Sequence, residues 1–291
     1  MLDKPTNNFI EAVGTIALLQ FQILAAQIKY VRDEMGRFAK TAGDAIPSDL
    51  YEFPSDDKFE KAEVFDISKH SSRGRSQIGG VEIDGKRFFV KEVLHDQLDE
   101  GAAETVASDV AKTMGLENDI VPAKKVSIKG QEFIASHYLP GQSVLSAGTN
   151  LKSAISQPKA RMMLLFDFVI NNTDRHADNV YIPDGGTPKL IDHGNSMMYE
   201  MGSMGDGDAD LVFKHNQIYD KHLKLAPNSE FTDEEIDAAI KGIDKLQESA
   251  KSHFKNSQQL ENILIGSEAI RTHLKDMLGK KELMKVVNII L

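Results

Sequence analysis

Three oxygen-bearing side chains, Asp174, Asn179 and Asp192, lie in two polar segments, NNTDRHADNVYI (171–182) and KLIDHGNS (189–196). Transfer of a phosphoryl group needs a carboxylate beside the acceptor hydroxyl. It also needs oxygen ligands for Mg²⁺, which neutralise charge on the transferring phosphates. Asp174 and Asn179 are five positions apart, the separation of base and metal ligand in the H-R-D-x-x-x-x-N signature of phosphoryl-transfer loops. Asp192 follows the apolar pair Leu190 and Ile191 and precedes Gly194, as the aspartate of a D-F-G element does. A hairpin from Val180 to Ile191, turning at Asp184-Gly185-Gly186, would fold Asp192 back against Asn179.

The elements that must hold this loop are legible on either side of it. AEVFDIS, IGGVEI and KRFFVKEV read as three antiparallel strands within residues 62–93. Asp84-Gly85 makes the tight turn between the last two, because a type I′ turn needs positive φ at both central residues. The spacing of Ala103, Val106, Val110 and Met114 predicts a helix over 99–114, ended by Gly115. Two further strands, 123–128 and 131–139, turn at Lys129-Gly130, and Pro140-Gly141 stops the second. After an apolar helix over 158–171 and the polar loop, the chain beyond Pro227 reads as helical. Thr232 and Glu235 form a capping box, and later helices are expected over 258–276 and 280–290. The pattern predicts an α+β, two-lobed fold, with a small antiparallel-sheet lobe over 61–140 and a mainly helical lobe over 141–291. Residues 1–60 stand apart as an N-terminal helix, 9–31, and a polar linker carrying Gly36, Gly43 and Pro47.

The sequence DRHADN followed by IDHG resembles the D-R-H-x-x-N and I-D-x-G motifs of the phosphatidylinositol 3-/4-kinase-like superfamily, which includes atypical protein kinases and bacterial HipA-type kinases. The resemblance spans about residues 62–215 and implies a kinase-like fold with ATP and Mg²⁺ held between the lobes. It makes Asp174 the catalytic aspartate and His176 a loop histidine near the transferred phosphate. Asn179 and Asp192 become metal ligands, and Arg175 the residue that holds the loop in place. MGLENDIVPAKKV resembles the L-G-L-x-x-V-P stretch of the same family. Such sites use a strand lysine on the α/β-phosphates, fixed by a glutamate of the next helix. Lys91 and Glu104 suit those roles, with Glu100 the alternative partner. Ser71, Ser72 and Gly74 in the loop SSRGRSQIGG would approach the phosphates through backbone N–H groups. His137, Tyr138 and Leu139 fall where an inter-lobe hinge would lie, with backbone groups near Ser136 to Leu139 reading adenine and apolar side chains sandwiching it. His193 stands where phenylalanine is common in the D-F-G element.

Composition bounds the partners. A formal net charge of −10 opposes a general role on nucleic acid or anionic membrane. The absence of cysteine excludes disulfides, thiolate chemistry and cysteine-based zinc sites. Glu11, Gln20, Gln22, Gln27 and Lys29 interrupt the apolar N-terminal stretch, so no membrane span is expected and the setting reads as cytoplasmic. The DGDAD stretch (206–210) fails as a calcium loop, since Leu211 and Gln217 occupy the positions that require Gly and Glu. Arg73 and Arg75 read equally as phosphate clamps or as a solvated loop. RDEMGRFA resembles a segment of tailed-phage structural and morphogenesis proteins, which would place the chain in a host cytoplasm or a virion. Three readings stand. The first is a kinase acting on a hydroxyl, with protein Ser/Thr favoured. The second is an adenylyl transferase or nucleotide-binding pseudokinase on the same fold. The third is a phage virion or assembly protein whose N-terminal helix docks on a partner.

Overall fold

Four consecutive pairings build the larger sheet, and its turns are those the sequence predicts. Asp84 and Gly85 stand at φ 53° and 72°, and Lys129 and Gly130 at 53° and 80°. The structure is a computed structural model that describes residues 50–68, 78–93, 99–149, 154–198 and 231–290. The chain divides after Pro47, and all described residues belong to the second unit, Ser48–Leu291. The N-terminal helix, the linker, the loop with Ser71, Ser72 and Gly74, and the acidic loop 201–210 lie outside the described residues.

A short helix α1 (Asp56–Glu60) precedes strands β1 (Phe65–Ser68), β2 (Ile78–Ile83) and β3 (Lys86–Glu92). Helix α2 (Glu100–Thr113) follows, then β4 (Ala123–Ile128) and β5 (Gln131–His137). The sheet is antiparallel in the order β1-β2-β3-β5-β4. Ile78, Gly79 and Gly80 open β2, as the strand reading of IGGVEI expects, and pair with Lys91, Val90 and Phe89. Side chains alternate across a strand. Phe88, Val90, Ala135 and Phe133 therefore share an outer face, filled by Phe59 of α1. Phe89, Lys91, Ile134 and Ser136 share the inner face. Helix α2 packs on that side at the β4 edge, where Ser108 Oγ bonds both N and O of Ala123 and Thr105 Oγ1 accepts from Lys125 N.

Residues 50–60, grouped above with the N-terminal helix and linker, pack into this lobe. Leu50 is buried with Val121 and Leu139, and Tyr51 donates to Ser108 O at 3.2 Å. Glu52 O lies 3.0 Å from His137 Nε2, and the Phe53 ring lies against those of Phe88 and His137. Apolar residues at 50, 53 and 59 show no helical or strand period, so only the folded chain reveals what they cover.

The second lobe opens with β6 (Gly141–Ser143), which pairs with β7 (Val180–Pro183) and through it with β8 (Lys189–Leu190). Gly141 is required here, because at φ 152° an added Cβ would stand 2.2 Å from Ile182 O. Helix α3 (Gln157–Val169) is buried along most of its length, its Met163, Leu165 and Phe166 lying in one core with Val106, Val110, Ile236 and Leu246. Helix α4 (Asp233–His253) begins with the expected Thr232–Glu235 capping box. Helix α5 runs unbroken from Ser257 to Ile290, where two helices are expected. Gly279 invites that break, yet a glycine inside a helix costs only about 1 kcal/mol relative to alanine, too little to stop a helix. Sheet lobe, connecting segment and helical lobe together are the α+β, two-lobed arrangement predicted, a small antiparallel sheet followed by a mainly helical part. No helix among the described residues is long and apolar enough to cross a membrane.

Candidate active site

The polar loop is closed at its base and held from beneath. Met197 N donates to Ile170 O at 2.8 Å and Asn171 Nδ2 to Met198 O at 3.1 Å, so the ends of residues 171–198 meet at the C-terminus of α3. Beneath the loop lies Arg175, 0% exposed and paired with the equally buried Asp167 of α3 through Nε and Nη2 at 3.0–3.2 Å. Its Nη1 donates to Asn179 O at 2.8 Å and to Ile191 O at 2.7 Å. One guanidinium thereby fixes the residues that carry both expected metal ligands, since Ile191 directly precedes Asp192. Arg175 holds the loop in the manner expected of it.

Around Asp174 the bonds are equally specific. Asp174 N donates to Asn172 Oδ1 at 3.0 Å, and Asn172 in turn reaches Asp167. Asn179 Nδ2 donates to Asp174 O at 2.9 Å. Asn195 Nδ2 donates to Asp174 Oδ2 at 2.9 Å. The other carboxylate oxygen, Oδ1, lies 3.9 Å from His176 Nε2, and the two side chains are 32% and 43% exposed. The loop therefore brings His176 and Asn179 to Asp174, while the bond from Ile191 N to Asn179 O at 3.1 Å carries the residue before Asp192 to Asn179.

The sheet lobe contributes Lys91, whose Nζ lies 3.4 Å from Glu100 and 3.5 Å from Asp192. Burial alone would lower this lysine, but Asp192, Glu100 and Glu104 outweigh it and raise it above its ordinary value. Glu104, the first choice as partner, instead accepts from His193 N at 2.7 Å. The ion pair falls to Glu100, one helical turn earlier on the same face of α2. Burial and the neighbouring Asp192 push the Glu104 carboxyl up to about 8. His193 is buried edge-on against Phe166, and burial with the Arg175 charge holds it well below the usual histidine value. His193 Nε2 and Ser196 Oγ are buried with no partner among the described residues. Asp192 itself stands at φ 56°, a left-handed conformation that costs a non-glycine residue about 1–2 kcal/mol.

The hinge candidates divide. His137 pairs with Phe88 in register, and its ring packs on Phe88 and Phe53 on the outer face, opposite Lys91. Its side chain is therefore not part of the inner face, as the period-two alternation of β5 requires. Leu139 is buried beside Tyr181 and Ile191, and its carbonyl accepts from Tyr181 Oη at 2.8 Å. Burial raises the Tyr181 phenol well above its ordinary value, which keeps that donor protonated. Tyr138 N donates to Arg87 O at 3.0 Å.

Among the described residues no group of three or more His, Asp or Glu side chains is arranged to hold a metal ion. A small donor set is nevertheless what Mg²⁺ uses on nucleotide phosphates, with one or two protein ligands and the rest phosphate and water. Asn179 fits it: its Nδ2 is committed to Asp174 O, leaving Oδ1 as the atom free to accept. Sequence reasoning missed Asp167, Asn172 and Asn195, none of which belongs to the motif.

No family model matches the chain, and no curated protein matches it. Among solved structures, the Helicobacter pylori proinflammatory kinase CtkA is similar at 12% identity and a TM-score of 0.43. The match covers 73% of this chain and 97% of that one. At that distance the likeness adds nothing to the geometry.

Proposed function

We propose that this chain is an ATP- and Mg²⁺-dependent kinase of the phosphatidylinositol 3-/4-kinase-like type that phosphorylates a hydroxyl. The observation that supports the reading is the Arg175 guanidinium, which binds the Asn179 and Ile191 carbonyls together and so holds the backbone at Asn179 next to the backbone that leads into Asp192. Asn179 Oδ1 and the Asp192 carboxylate would hold Mg²⁺, which when bound neutralises charge on the nucleotide phosphates. Lys91 supplies a positive charge for the α/β-phosphates. Asp174 orients the acceptor hydroxyl and takes its proton as the new O–P bond forms and the bond to the departing ADP breaks. His176 flanks the same spot.

A protein serine or threonine is the favoured acceptor, because a net charge of −10 offers no attraction to an anionic lipid surface. Residues 9–31 would serve a protein partner, and a cytoplasmic setting, in a host cell or a virion, agrees with that assignment.

The test is turnover of Mg²⁺-ATP by the full chain, read as ADP release and autophosphorylation. Asp174→Asn should lower it by about two to four orders of magnitude while binding of a fluorescent ATP analogue persists. Unchanged turnover in that variant would remove Asp174 from the reaction. Intact mass after incubation separates phosphoryl from adenylyl addition, and an adenylyl increment would replace the kinase reading with the transferase one.

A further inference from the structure

Asp174 has two carboxylate oxygens, and the loop treats them differently. Oδ2 accepts the Asn195 amide at 2.9 Å, whereas Oδ1 lies 3.9 Å from His176 Nε2, beyond hydrogen-bond distance. Asn195 sits 21 residues beyond Asp174 in sequence, past the hairpin and Asp192. A turn in which Ser196 N bonds His193 O holds it in place. On the main-chain side, Asp174 N is tied to Asn172 Oδ1 and Asp174 O to Asn179 Nδ2. With the backbone and Oδ2 engaged in this way, Oδ1 is the less engaged of the two carboxylate oxygens.

We infer that Asn195 is a positioning residue that makes Oδ1 of Asp174 the proton-accepting atom. This rests on the kinase reading and deepens it, because it states which atom acts and what orients it. Asn195 contacts neither phosphate nor acceptor; it acts through Asp174. A hydrogen bond to an ionised group is stronger than a neutral one and holds the group against rotation. Without it the carboxylate turns about its Cβ–Cγ bond, and near-attack geometry is reached less often.

The test compares two substitutions of opposite character. Asn195→Ala removes the donor and leaves space, whereas Asn195→Asp keeps the shape, removes the donor and sets a second carboxylate against Oδ2. If Asn195 acts by donating to Asp174, the isosteric variant is the worse one. The kcat for Mg²⁺-ATP should fall about ten- to a hundredfold in Asn195→Ala and further in Asn195→Asp. The KM for ATP should stay within about twofold of wild type in both. If the residue merely fills space, Asn195→Asp retains more activity than Asn195→Ala, and that order overturns the inference while leaving the kinase reading intact. A KM that rises with unchanged kcat overturns it as well. Melting temperatures measured alongside identify loss of fold, and Asn195→Ser, which restores a donor on a smaller side chain, should recover part of the kcat lost in Asn195→Ala. An absence of wild-type turnover overturns the kinase reading and this inference with it.

Discussion

Arg175 donates five hydrogen bonds of 2.7–3.2 Å to Asp167, Asn179 and Ile191, all away from solvent. Lys91 meets Glu100 and Asp192 at 3.4 and 3.5 Å, with the side chains 21–43% exposed. Both are cations surrounded by carboxylates and carbonyls, yet one is a fixed joint and the other a loose one. A buried guanidinium offers planar, directional donors that tolerate little displacement. An ammonium on a four-carbon stem can exchange partners at small cost, and here Glu100 and Asp192 compete for it. The loop half is thus preorganised, and the sheet-lobe half is left adjustable.

The largest effect that would break this contrast lies at Arg175. Arg175→Met strands the buried Asp167 carboxylate and the Ile191 carbonyl, so stability should drop by about 3–5 kcal/mol. The melting temperature should fall on the order of 10 °C. Adding Asp167→Leu removes the stranded charge and recovers only part of the loss, because Ile191 O still lacks its donor and Asn179 O keeps only that of Ile191 N. Full recovery in the double variant would reduce Arg175 to a mere charge partner. Thermal unfolding of both variants reads the difference.

A smaller effect is expected on the loose side. Glu100→Gln removes the nearer partner of Lys91 and should raise the KM for ATP a fewfold with little change in melting temperature, since partly exposed ion pairs are worth about 0–1 kcal/mol. Glu104→Gln leaves the Lys91–Glu100 pair in place and should act on stability and kcat through His193 N instead. If the two variants behave alike, the distinction drawn between Glu100 and Glu104 fails.

How much of this was visible in the residue order depends on the range of each interaction. Asp174, Arg175 and Asn179 lie in one loop, and the strand turns at Asp84-Gly85 and Lys129-Gly130 are local, so motif and turn chemistry exposed them. Glu100 and Glu104 lie one turn apart on the same face of α2, and a period of 3.6 cannot choose between them. That the His137 side chain lies on the face opposite Lys91 is a matter of register. Counting by twos along β3 separates Phe88 from Lys91, but only pairing with β5 carries that parity across to His137. Asp167 and Asn195 enter the site from the end of a helix and from beyond a hairpin, and no local pattern marks either.

Stability also depends on pH, and Glu104 and His193 contribute to that dependence with opposite sign. Glu104 is raised from 4.5 to about 8 in the fold, so the stability it contributes is full below about 4.5 and lost as pH rises toward 8. His193 is lowered from 6.5, so its contribution is full above about 6.5 and lost as pH falls toward its folded value. Denaturant midpoints across pH 5–9 should show Glu104→Gln gaining on wild type as pH rises. His193→Asn should gain as pH falls. Parallel curves would mean that neither group changes protonation on folding.

The hairpin β7–β8 leaves the site at Asn179 and returns at Ile191, with an exposed tip at 184–187. Ile191 N meets Asn179 O at 3.1 Å, and Arg175 binds both carbonyls from below. The distance between the two ends is therefore measured by one rigid ion, and the length of chain that joins them does not enter. Residues inserted at the tip would lengthen the excursion without moving its endpoints, which makes 184–187 a place where this chain can acquire a new surface, or accept a reporter peptide, at no cost to its chemistry.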